Sequence, residues 1–199
     1  ASQDLEIRGA GEILGGRQSG QIQAIGFDAY SRILTEAVAE LKGQPIARET
    51  DPEVAFDVPA FLPDTYVEDT GQRLDLYRRL SLAPDIDAVN AVMEEVRDRF
   101  GEPPEEAVNL GFVMGCKTYG RRLHATAIEK KGARLSVRLR DDTPLSAEVA
   151  AKLHKLTDGQ MRMAGPDRVI AALPDTQRMR TQLEAARAAL AALVSLGPG

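Results

Sequence analysis

Residues 125–140 read ATAIEKKGARLSVRLR: two β-like runs, Ala125–Lys130 and Arg134–Arg140, on either side of Lys131-Gly132-Ala133. A short glycine-containing connection between such runs predicts a β-hairpin. Working outward, Met161–Ala164 and Arg168–Leu173 predict two further strands, and Val54–Val58 alternates in strand fashion upstream. Helical spacing governs the segments between them. A first helix is expected from about Gly71 to Leu82. Pro84-Asp85 then breaks the chain and offers Asp85 as N-cap for a second, which runs to Phe100 and is closed by Gly101. Pro103-Pro104 opens a third, Glu105 to about Arg122, whose first-turn carboxylates suit the helix dipole. Ser146–Leu156 and the alanine-rich Thr176–Leu196 complete the set, the last with Met179, Leu183, Ala186, Leu190 and Leu193 on one side. The expected class is α+β, several helices packed on a small and mostly antiparallel sheet.

Upstream of this lies a different texture. Gln21–Lys42 reads as a long helix with Ile22, Ile25, Ala29, Ile33, Ala37 and Leu41 at helical spacing, ended by Gly43 and Pro45. The polar stretch 43–52 reads as a linker. It divides the chain into residues 1–50 and an α+β domain of residues 51–199.

Bulk properties exclude several function classes. The chain has 199 residues and a net charge of −5, so it can bury one sizeable core but is no general nucleic-acid coat. No run approaches the roughly 18 apolar residues of a membrane span, and charges at Asp4, Glu6 and Arg8 rule out a signal peptide. A single cysteine, Cys116, gives no internal disulfide and fits a reducing, cytoplasmic setting. It lies in a helix among Val108, Phe112 and Tyr119, as a buried structural thiol would. His124 and His154 have no cysteine or histidine at ligand spacing, so no metal site is expected. Charge is unevenly spread. Residues 51–106 hold fifteen acidic side chains against five basic ones, and residues 117–140 hold eight basic ones against Glu129 alone. The basic stretch reads as a solvated face that compensates the acidic half.

Residues 4–20, DLEIRGAGEILGGRQSG, place glycines at 9, 11, 15, 16 and 20 around Arg8 and Gln18. A Rossmann fingerprint would need glycine at position 14, which is Leu, and a phosphate loop would not continue into Arg17-Gln18. The segment resembles the end of the translocation motif that follows the second motor lobe of RecG-like double-stranded DNA translocases. Taken with AFLPDTYVEDTGQRLDLYRRL at residues 60–80, the chain is similar to the C-terminal part of the transcription-repair coupling factors. The resemblance implies that Arg8 and Gln18 couple lobe movement to grip on duplex DNA. It also implies a bacterial, cytoplasmic parent whose motor uses ATP and magnesium, displaces stalled RNA polymerase and recruits excision repair through UvrA. This chain has no Walker motif, so no cofactor and no ATP hydrolysis of its own are expected.

A second constellation falls on the predicted Asp85–Phe100 helix. Ile86, Val89, Met93, Val96 and Phe100 form an apolar stripe, and Glu95, Asp98 and Arg99 lie on the other side at i+3 and i+4 steps. From the residues alone these three are a solvated face. The resemblance implies instead an autoinhibitory contact with the N-terminal UvrB-like module of the same protein, masking UvrA recruitment. Two other readings stand beside this one: a fragment of a RecG-like branched-DNA helicase, and a stand-alone nucleic-acid-binding module built on residues 117–140. The last predicts steep salt dependence in a DNA titration. Residues 51–199 alone are expected to show no DNA binding at physiological salt.

Overall fold

The computed structural model describes residues 51–140, 147–157 and 159–196. The expected glycine segment, the helix over 21–42 and the linker, with Arg8 and Gln18, lie outside these apart from residues 51 and 52. Within them the chain runs β1 (Glu53–Phe56), α1 (Thr70–Leu82), α2 (Ile86–Phe100), α3 (Glu105–Arg122), β2 (Ala125–Lys131), β3 (Arg134–Leu139), α4 (Ala147–Leu156), β4 (Met161–Met163), β5 (Arg168–Ala172) and α5 (Met179–Leu196). The strands form one sheet in the order β1-β2-β3-β5-β4. β1 pairs parallel to β2, with Val54 opposite Ile128, and the other three pairings are antiparallel. The class is α+β, as expected.

Alternation along the strands buries one sheet face. Ile128, Leu135, Val137, Leu139, Val169 and Ala171 point into a core shared with the helices. α3 sits at its centre. Ala107, Leu110, Val113, Met114, Cys116 and Gly120 are all buried, so this helix has almost no wet side. That position explains its glycines. A Cβ at Gly115 would stand 2.6 Å from Ile86 Cδ1, and one at Gly120 would stand 2.6 Å from Ile128 Cδ1 and 2.8 Å from Pro52 Cγ. The sheet and α2 can approach α3 this closely only where no side chain intervenes. Buried polar groups along α3 are satisfied: Asn109 Nδ2 donates to the Pro59 carbonyl at 3.0 Å and Thr118 Oγ1 to that of Gly115 at 2.8 Å. Burial pushes the Cys116 thiol up to about 12, which leaves it a packing group.

The hairpin is fixed from outside itself. Asp57, just past β1, accepts from Lys130 Nζ at 2.6 Å and from the Gly132 amide at 2.8 Å. Gly132 takes the left-handed conformation of the turn, with φ 54°.

Helix ends follow their caps. Asp85 caps α2 through the Ala88 amide, and Gly101 ends it at φ 85°. Asp69, which was not anticipated, caps α1 through Gln72 and starts that helix at Thr70. α5 begins at Met179 rather than Thr176. The carbonyls of Pro174 and Thr176 are held by Gln182 Nε2, and the Thr176 hydroxyl accepts from the Arg178 amide, so the preceding residues turn instead of coiling.

The contrast between two α3 glycines is testable. At Gly120 the obstructing groups are a proline and a fully buried isoleucine. At Gly111 the nearest is the flexible Met93 side chain at 3.1 Å. Gly120→Ala is expected to lower the urea-unfolding free energy by about 1–2 kcal/mol, as overpacking exceeds the helix-propensity gain. Gly111→Ala is expected to be neutral or to stabilise by up to about 1 kcal/mol.

Candidate functional site on the second helix

α1 and α2 are joined by the short Ala83-Pro84-Asp85 turn and run antiparallel. Their facing polar residues make a seam. Arg79 forks onto Glu95, with Nη1–Oε1 at 3.0 Å and Nη2–Oε2 at 2.5 Å. Arg99 Nη1 reaches the same Glu95 Oε1 at 2.8 Å, and its Nη2 donates to Gln72 Oε1 at 3.0 Å. Arg99 also lies 5.0 Å from the Phe100 ring centroid. That ring meets Tyr66 edge-on at 6.1 Å, and the Tyr66 hydroxyl donates to the Gly101 carbonyl at 2.7 Å. The seam therefore continues into a clamp on the end of α2.

The apolar stripe is close to that expected. Val89 and Val96 are fully buried with Val92 beside them, while Ile86, Met93 and Phe100 pack at its edge. Of the three residues singled out on the opposite side, two are not a free face. Glu95 and Arg99 bind back to α1, and Glu95 keeps 34% of its side chain exposed. Asp98 is exposed. Leu82, 63% exposed, lies one turn beyond Arg79. Arg79 and Gln72 were missed in the sequence because pairing between helices depends on their packing, which spacing within one helix does not report. The short α1–α2 connection was the available signal.

The hydrogen bonds from Arg79 and then Arg99 hold the Glu95 carboxyl down at about 2. Arg79 is raised in turn, chiefly by its bond to Glu95.

The basic stretch is not one solvated face. Lys117 is 7% exposed and pairs with Asp51 at 2.9 Å. Arg121 reaches Asp51 at 2.7 Å and closes the end of α1 through the carbonyls of Ser81 and Ala83. Lys130 is 2% exposed and bound to Asp57. These three cations hold the fold together, because long aliphatic stems let them cross apolar surface to reach their carboxylates. Among the described residues, no helix is long and apolar enough to cross a membrane.

Comparison with known proteins bears on what this arrangement serves. Residues 56–150 match the TRCF domain. The transcription-repair-coupling factor of Myxococcus xanthus is 42% identical over 174 residues, which is 87% of this chain. That of Bacillus subtilis (strain 168) is 36% identical over 167 residues, or 83% of the chain. The chain belongs to the transcription-repair coupling factor family. It spans only 14% of the length of each of those two relatives. A crystal structure of the C-terminal domain of a transcription-repair coupling factor superposes with a TM-score of 0.62, covering 76% of this chain and 97% of that one at 18% identity. The likeness establishes the shared α+β fold of that domain. In this transcription-repair coupling factor segment, the matched region takes in α1, α2, the whole seam and α3.

Glu95 makes the seam acid-sensitive. Its folded value lies below its ordinary 4.5, so the bonds contribute stability above that value and lose it as pH falls toward 2. Asp57, also lowered, acts in the same direction. Glu95→Gln is expected to be less stable than wild type at about pH 7, with a smaller loss of Tm between about pH 5 and pH 2.5. Equal acid sensitivity of the two proteins would show that the seam carries no such linkage.

Proposed function

We propose that residues 51–199 act as the regulatory C-terminal domain of a transcription-repair coupling factor. In this reading Glu95, Asp98 and Arg99 belong to a surface that binds the N-terminal UvrB-like module of the same protein and masks UvrA recruitment. The parent is then an ATP- and magnesium-dependent translocase on double-stranded DNA that displaces stalled RNA polymerase and recruits nucleotide excision repair. Arg8 and Gln18 serve that motor, and the work of residues 51–199 is autoinhibition without hydrolysis.

The observation that carries the reading is the state of Asp98. It is an exposed carboxylate beside a seam that already fixes Glu95 and Arg99, with Leu82 exposed on α1. A rigid polar surface is suited to a basic, aromatic-containing patch, because little side-chain entropy is left to lose on docking. The required energies are within reach of such a contact. Moving a switch from 99:1 closed to 99:1 open takes about 5.5 kcal/mol of differential binding. Loss of one partner from a buried interfacial charge pair costs about 2–5 kcal/mol.

A branched-DNA helicase reading accounts for the glycine segment but not for residues 56–150, which match the TRCF domain. Because Glu95 and Arg99 also hold α1 to α2, the informative variant is Asp98→Ala. In the full-length parent without polymerase, it is expected to raise UvrA affinity by about tenfold or more, with unfolding temperature unchanged. The triple alanine variant at 95, 98 and 99 is expected to go further. Unchanged UvrA affinity in both would remove the autoinhibitory assignment.

A further inference from the structure

The sheet has two faces, and the core uses one. Across the register of the other, Arg138 stands directly opposite Arg168, Lys131 opposite Arg134, and Arg162 opposite Ile170. None of these five cations has a side-chain ion pair among the described residues. An antiparallel sheet can leave one face in water, so bareness alone says nothing. Like charges directly opposite one another do, because they weaken the sheet that carries them. Here two such pairs sit on one face of a chain whose net charge is −5.

The patch has a shape. From Arg134 to Arg138 is about 14 Å along the strand, and from β2 to β4 is about 14 Å across. Near its middle, Ile170 is half-buried but does not join the core cluster. Ser136 lies opposite it and Glu129 opposite Ser136.

We propose that this sheet face docks an acidic amphipathic helix of a partner protein, its apolar stripe on Ile170 and its carboxylates on Arg134, Arg138, Arg162 and Arg168. Guanidinium groups receive carboxylates bidentately, which suits arginine over lysine at four of the five positions. About nine helical residues span the patch, which sets carboxylates one and two turns apart over the cations. A nucleic acid is the poorer occupant. No outward position of the sheet carries an aromatic side chain on which a base could stack.

The test titrates the full 199-residue chain with three labelled probes read by fluorescence anisotropy. These are a helical peptide of about 14 residues with leucines flanked by glutamates, the same peptide with glutamines, and a DNA duplex of about 20 base pairs. The glutamate peptide is expected to bind in low salt. The glutamine peptide and the Arg138→Thr/Arg168→Thr variant are each expected to weaken binding by at least about tenfold. Arg122→Gln, an exposed cation outside the sheet, is expected to leave it unchanged. The double threonine variant is also expected to unfold at the same temperature as wild type or higher, since it removes a like-charge pair and adds a strand-favouring residue. No binding of the glutamate peptide, equal binding by the variant, or tighter binding of the duplex overturns the proposal.

Discussion

The architecture depends on the enclosure of α3. A helix packed by the sheet beneath it, by α2 on one flank and by α5 on another has nearly every side buried. Its neighbours can come close only where it has no side chain. Gly115 admits Ile86 of α2, and Gly120 admits Ile128 of β2 together with Pro52. Close packing of this kind gains dispersion contacts over the whole surface while tolerating little change in volume. It also explains why the parallel β1–β2 pairing works at all. Three helices separate those strands in sequence, and α3 delivers the chain to β2 beside β1.

Around that centre, polar ties join segments far apart in sequence. Asp51 gathers Lys117 and Arg121, Asp57 gathers Lys130 and the hairpin turn, and Glu95 gathers Arg79 and Arg99. Each carboxylate takes two donors, an arrangement that fixes direction more firmly than a single exposed ion pair. The same economy divides six of the eight cations of residues 117–140 into two groups. Lys117, Arg121 and Lys130 are drawn inward to carboxylates. Lys131, Arg134 and Arg138 are turned outward by strand alternation and have no such partner among the described residues.

Much of the fold was legible because its signals are local. Asp85 and Gly101 bracket α2 through a side-chain cap and a positive φ, and Gly132-Ala133 closes the hairpin through another positive φ at Gly132, with Lys131 already in β2. The start of α5 was misplaced because Gln182 reaches back over more than a turn to hold the residues before it. Of the candidate surface, the stripe of Val89 and Val96 could be read from helical spacing. The engagement of Glu95 and Arg99 with α1 could not, since nothing within α2 records which side chain of another helix will stand opposite.

Sequence by itself therefore determined the elements, the two caps of α2, the burial of Cys116 and the family, since each rests on periodicity, on contacts between near neighbours or on residue type. Tertiary structure alone decided which charges are spent inside the domain and which are left on its surface. The physical reason is that an ion pair needs two groups within a few ångströms. For Asp51 with Arg121, or Asp57 with Lys130, that proximity is created only when a sheet and a buried helix bring distant stretches of chain together.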